Sequence, residues 1–297
     1  MSVQGAEVEV GKPYGHYRPR PALKGMSPLW WIGIAAFFGA MLAPFLVILV
    51  NSFVVSDPQG DGVHLGLAGW RGALAQPGIV SAIVNTVQLG LSAQAIALPV
   101  GVLVAWLIGR TDLPGRRGFE FLFWLSFFLP PLAVVQGWIL LLDAQSGVLN
   151  DAFESLLGVR PFDLYSFGGI IFGHLVTTTI SAKIMMLTPA FQNMDSRFEE
   201  AAYVAGDGPW RTLFRVTLPL LAPALVVTAL VGLIRALESF EIELLLGAPH
   251  NIQVYSTKIY QLVRQDVPDY AAANVLGVVI ILFLVGLALL AGRLERR

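Results

Sequence analysis

Apolar positions fall in long unbroken runs along this chain, and polar positions gather in the shorter segments between them. About 20 consecutive apolar residues carry a helix across a bilayer. Six runs reach that length, at 29–50, 79–109, 119–142, 168–189, 218–246 and 272–290, and they predict six membrane-spanning helices. The second and fifth exceed the minimum and are expected to tilt or to extend beyond the membrane. Pro44, Pro99, Pro130, Pro131 and Pro223 fall inside or beside the runs, where neighbouring helices re-satisfy the backbone groups a proline frees. The pattern reads as an all-α integral membrane protein, with a polar tail at 1–27 and one six-helix domain at 28–297.

One connector is written differently. Residues 195–219, DSRFEEAAYVAGDGPWRTLFRVTLP, hold seven charges between the fourth and fifth runs and predict two short helices at 196–216. Ser196 and Glu199 have the spacing of a capping box. Phe198, Ala201, Ala202 and Ala205 share one helical face, with Glu199, Glu200 and Tyr203 pointing elsewhere. Gly206 stands where a helix ends in a left-handed residue. Asp207 or Gly208 then caps a second helix, with Pro209 at its first position. That helix carries Trp210, Leu213 and Phe214 among Arg211 and Arg215, and Pro219 opens the fifth run.

Composition agrees with the membrane reading: 56% of residues are hydrophobic, 13% are charged and the mean hydropathy is +0.69, where a soluble domain has about 25% charged. A net charge of −1 argues against a nucleic-acid partner. The absence of cysteine removes disulfides and thiolate metal sites. Basic residues set the orientation. Lys12, Arg18, Arg20, Lys24, Arg110, Arg116, Arg117, Lys183, Arg197, Arg211, Arg215, Arg293, Arg296 and Arg297 fall on one side; only Arg71, Arg160, Lys258 and Arg264 fall on the other. Both termini and the 195–219 connector are therefore expected in the cytoplasm. The outer loops are then 51–78, 143–167 and 247–271, the last holding a short interfacial helix in STKIYQLVR.

The fifth run contains Arg235, Glu238, Glu241 and Glu243. Charges at membrane depth are costly and face a cavity or a partner. On a continuous helix Arg235 pairs with Glu238 at i+3, while Glu238 and Glu241 bring like charges together. Two readings stand. Either the helix overruns the bilayer and Glu241 and Glu243 lie among outer headgroups, or Arg235, Glu238, Phe240 and Glu241 line a solute path. Three outer glutamates hint at a cation or a metal complex. Lys183 is expected to snorkel to the cytoplasmic interface, and His174 reads as a hydrogen-bonded packing residue. His16, His64, His174 and His250 are too scattered for a metal site. No phosphate loop and no nucleophile elbow occurs in the sequence.

Glu200-Ala201-Ala202, Gly206, Val216 and Leu218-Pro219 together are similar to the EAA motif of ABC importer permeases, EAA-x3-G-x9-I-x-LP, with valine for isoleucine. Asn85-Thr86, RTDLPGR at 110–116, LPP at 129–131, GVLN at 147–150 and the segment 236–260 resemble the branch with ferric-iron and polyamine permeases; Glu243 stands where that pattern has proline. The resemblance covers about 80–290. It implies the type I importer fold and a non-catalytic permease subunit in a bacterial cytoplasmic membrane. The implied partners are a second, different permease chain, two ABC ATPase subunits, an extracytoplasmic solute-binding protein and membrane lipid. No cofactor is implied on this chain, ATP and Mg being held by the ATPase. Glu199, Glu200, Ala201, Ala202, Gly206, Arg211, Arg215 and Pro219 become the expected ATPase-coupling residues. The expected solute is a polyamine, ferric iron or another small ion or metal complex, with thiamine and phosphonate- or sulfate-like anions also open. The rival is a self-contained secondary transporter or channel subunit, for which the paired interrupted repeats of such folds are not seen.

Overall fold

A computed structural model describes residues 27–56 and 63–294. The basic residues at 12, 18, 20, 24, 296 and 297 and His16 lie outside the described residues, as does the His64 side chain. Helix α1 (Pro28–Asn51) is apolar on every face, the composition of a helix that meets apolar surroundings all round.

Beyond it, a two-stranded exception to the all-α reading appears: β1 (Val54–Ser56) and β2 (Val63–Leu65) pair antiparallel with Val54 opposite Leu65. Helix α2 (Ala68–Ala75) leads into α3 (Ile79–Arg110), a single 32-residue helix. At 1.5 Å per residue α3 is about 48 Å long, more than the hydrocarbon core requires. Ala82, Gly90, Ala93, Ala97, Gly101 and Ala105 recur along its buried face. Small residues let helix backbones approach closely. A Cβ at Gly101 would stand 2.6 Å from the Lys183 Cβ, and one at Gly109 would stand 2.9 Å from the Phe191 Cβ.

The third run is not a straight span. It forms α4 (Arg116–Phe128) and α5 (Pro131–Leu142), bent by 101°. Leu129 and Pro130 are extended between them, because a residue before proline avoids the helical region and here two prolines follow one another. Helix α6 (Val148–Leu157) comes next. The fourth run forms α7 (Phe167–Asn193), continuous except for a π-turn at Leu175–Thr179, where Thr177 leaves helical geometry (φ −84°, ψ −110°).

The fifth run departs most from expectation. Helices α8 (Arg197–Val204) and α9 (Pro209–Leu220) precede α10 (Ala222–Leu237), which turns 75° from α9 at Leu221. Helix α10 stops at Leu237 rather than continuing to 246; Ser239 and Phe240 are non-helical, and a π-turn follows at Glu243–Gly247. The Ser239 carbonyl is taken by the Ser256 hydroxyl (2.7 Å) instead of a helical N–H. Helices α11 (Tyr255–Arg264) and α12 (Tyr270–Leu294) complete the chain. Among the described residues four helices are long and apolar enough to cross a membrane, or up to six spans if each bent pair counts as one.

Among the described residues of the unit that begins at Ile48, three buried clusters form the core. One is centred on Leu89, Val135, Ile170 and Leu246, one on Ile79, Leu262 and Leu276, and one on Trp106, Phe191 and Leu213. The third fixes the α8–α9 connector to the end of α3.

Candidate functional site

The connector between α7 and α10 is built from two helices with different ends. The predicted capping box does not form. The Ser196 hydroxyl donates to the Glu200 carboxylate (2.8 Å), and the Arg197 N–H is accepted by Asp195 (3.0 Å). Glu199 turns inward, buried to 9% exposure. Its Oε1 accepts the Thr217 hydroxyl at 2.7 Å, and its Oε2 lies 2.9 Å from Arg110 Nε, an ion-pair distance without hydrogen-bond alignment. Glu199 therefore ties α8 both to the end of α3 and to α9, and offers no charge to a partner. At the other end of α8, Gly206 is left-handed (φ +92°). The Asp207 N–H reaches the Ala202 carbonyl and the Gly206 N–H reaches that of Tyr203, both at 3.0 Å: the two bonds of a Schellman motif. Gly208 precedes Pro209, the first residue of α9.

Of the alanines, Ala202 is buried while Ala201 and Ala205 are exposed. Thr212, Leu213 and Thr217 form the buried face of α9. Trp210 packs on Trp106 with ring centroids 5.3 Å apart and remains half exposed. Arg211 pairs with Asp207 at 3.4 Å, and Glu200, Arg215 and Pro219 are exposed. Around them Phe198, Tyr203, Val204 and Phe214 are bare, Val204 to 91%.

The second feature is a partly open cavity of about 640 Å³ lined by α3, α4, the start of α5, α7, α10 and the segment after α10. Arg235, Glu238 and Glu241 all line it; Phe240 does not, and faces Tyr260 at 5.6 Å. Arg235 and Glu238 approach to 3.7 Å with both side chains largely exposed, a weak pair. Because α10 ends at Leu237, Glu238 and Glu241 do not share a helical face. Glu243 is not among headgroups. It is 2% exposed, with one oxygen 2.7 Å from His174 Nε2 and the other accepting the Ser239 hydroxyl at 2.7 Å. His174 is the hydrogen-bonded packing residue its setting suggested.

Lys183 does not snorkel. It is 2% exposed and its ammonium donates to the Thr179 carbonyl at 3.2 Å. Two glycines make this possible. Gly101 leaves room for its Cβ, and Gly232 opens the space at its tip, where a Cβ would stand 3.0 Å from Nζ. Gln94 shares that space. Its Nε2 donates to the Gly232 carbonyl (2.7 Å), and its buried Oε1 has no partner among the described residues. Gln94 and the Arg110 clamp were not singled out from sequence. The only available signals were an amide inside an apolar run and an arginine at a helix end.

At the C-terminal end of α5, Asp143 accepts the Tyr165 hydroxyl (2.7 Å) and the N–H groups of Gln145 and Ser146. These bonds, Tyr165 first, hold its carboxyl down at about 2. Burial, then the Asp143 hydrogen bond, pushes the Tyr165 phenol up to about 12. Asn150 is fully buried and bridges Asp143 and Phe162, and a Cβ at Gly147 would stand 2.5 Å from the Asp143 nitrogen. The GVLN segment is thus a structural corner. Asn85 and Thr86 likewise hold the backbone of Gln253 and Tyr255. Among the described residues no cluster of three or more His, Asp or Glu is arranged to hold a metal ion.

The family model of binding-protein-dependent transport system inner membrane components matches residues 97–297. The molybdenum transport system permease protein ModB of Escherichia coli (strain K12) is 25% identical over 209 residues, 69% of this chain and 89% of that protein. The ferric transport system permease protein FbpB of Actinobacillus pleuropneumoniae is 27% identical over 82% of this chain, which spans 36% of that longer protein. Among solved structures, a chain of a bacterial ABC transporter involved in the import of the acidic polysaccharide alginate superposes with a TM-score of 0.71. It is 22% identical over 91% of this chain and 99% of that chain, and shows a shared fold.

Proposed function

This chain belongs to the family of binding-protein-dependent transport system inner membrane components, and on that premise we propose that it forms one half of the translocation path of an ATP-driven importer. The observation that carries the reading is the α8–α9 pair. It exposes Phe198, Tyr203, Val204 and Phe214 beside Glu200 and Arg215, while Glu199, Arg110 and Thr217 clamp it from behind. Bare apolar groups on a rigid base mark a surface made to be covered by another protein. Two ATPase subunits are the partners proposed for it. ATP and Mg belong to them, and this chain supplies no catalytic group. A second permease chain, a different one in this reading, and an extracytoplasmic binding protein complete the assembly.

The basic residues around the connector, Arg110, Arg116, Arg117, Arg197 and Arg215, support a cytoplasmic location for it by charge bias. Closure of the ATPases moves α8 and α9 as a unit. The 75° turn at Leu221 passes the displacement to α10, whose last turn carries Arg235 into the cavity, a rigid-body switch between two access states. The proposed solute is small; the relatives' names refer to molybdenum and to ferric transport.

The test is purification with the ATPase. Glu200→Lys and Gly206→Pro are expected to abolish co-purification and solute-stimulated ATP hydrolysis. Solute uptake into liposomes lacking any ATPase would overturn the reading in favour of a self-contained transporter.

A further inference from the structure

Resting on that reading of the cavity as part of the path, we propose that its inner end is a binding subsite for a compact oxyanion that retains a proton, the chemistry of hydrogen phosphate or of a small hydroxycarboxylate. Lys183 and Gln94 beside Gly232 form the subsite.

The charges around the cavity divide into those already answered and one that is not. Glu243 is held by His174 and Ser239. Arg235 stands at 3.7 Å from Glu238. Glu241 lines the cavity and is exposed. The Lys183 ammonium is the exception: it is 2% exposed and lies against one carbonyl, and no carboxylate is within ion-pair distance of it among the described residues. A buried cation without a counter-ion is costly. An ammonium has three donors, and Thr179 uses one of them. The glutamates therefore give no strong signal for a cationic guest, because a cation entering the cavity meets an uncompensated positive charge at its inner end.

The second observation is independent of the first. Gln94 is 9% exposed, and its Oε1 is a buried acceptor without a partner among the described residues. Its amide is held in this orientation by the bond from Nε2 to the Gly232 carbonyl. Both groups pack against Gly232, where a Cβ would stand 2.7 Å from Gln94 Oε1 and 3.0 Å from Lys183 Nζ, and all three residues line the cavity. One guest satisfies both if it carries an anionic oxygen for Lys183 next to an O–H for Gln94. A fully deprotonated oxyanion leaves Oε1 stranded, and a site with a stranded polar group discriminates strongly.

The experiment is equilibrium binding to the purified complex with its ATPases, with radiolabelled phosphate and glycolate as separate probes and sulfate and putrescine as competitors. The expected result is saturable binding of at least one probe, with sulfate competing about tenfold more weakly or worse and putrescine not at all. Lys183→Gln is expected to weaken that binding by about tenfold or more, and Lys183→Arg to retain it. Binding of neither probe by the wild-type complex, competition by putrescine or equally by sulfate, or unchanged binding in Lys183→Gln overturns the assignment. The wild-type arm decides even if the variant does not fold. Co-purification of the ATPase in the same preparation separates failure of the subsite from failure of the importer reading.

Discussion

Removing the Glu199 side chain strands a guanidinium that is itself mostly buried, since Arg110 and Glu199 are exposed to only 11% and 12%. Glu199→Ala is expected to cost about 2–3 kcal/mol, read as a lowered thermal midpoint in detergent. Thr217→Val, which deletes one hydrogen bond to the same carboxylate, is expected to cost less than half of that. Asp143 and Tyr165 give a pH dependence that can be assigned a sign. The Asp143 carboxyl is lowered from 3.8 to about 2, so its stabilisation is present above about pH 4 and lost as pH falls towards 2. The Tyr165 phenol is raised from 10 to about 12, so its stabilisation is present below about pH 10 and lost as pH rises through 12. Asp143→Asn is expected to bring the tyrosinate absorbance transition of Tyr165 down, though not to 10, because burial is the larger cause.

Among the elements, α8 and α9 are joined by two glycines with unequal duties. Neither Gly206 nor Gly208 has any atom within 4 Å of where a Cβ would stand, so packing does not distinguish them. Gly206 is at φ +92° and Gly208 at φ −81°. Gly206→Ala is therefore expected to cost about 1–2 kcal/mol, and Gly208→Ala under about 0.5 kcal/mol, measured as paired thermal midpoints. The Gly206 role was legible from its place after EAA because backbone conformation is a local property. The same locality explains the break at Pro130-Pro131. The sequence showed both prolines; it did not show that the chain answers them with a 101° turn rather than a kink, since that depends on what α4 and α5 pack against. The early end of α10 was illegible for a similar reason. Leucine and isoleucine continue to 246, and the competing partner for the Ser239 carbonyl lies seventeen residues further on, at Ser256.

At the scale of the whole molecule, α9 turns at Leu221 into α10, and α10 lines the cavity. Val204 is 91% exposed and belongs to no internal cluster. Val204→Asp is expected to leave the thermal midpoint unchanged and to weaken co-purification of the ATPase about tenfold or more; an unchanged yield of complex removes Val204 from the interface. What the sequence determined by itself were properties written in short-range order or in totals: the apolar runs, the two-helix connector with its EAA spacing, and the charge bias. Hydrophobic length, helix ends and composition need no knowledge of neighbours. Tertiary structure alone decided where the charged side chains go. Glu199 turns in to Arg110, Glu243 to His174, and Lys183 into the space opposite Gly101 and Gly232. Each of those destinations depends on a residue more than 48 positions away or on the absence of a Cβ there. A long side chain settles by the cost of desolvation and the partner that offsets it, and no spacing along one run records that balance.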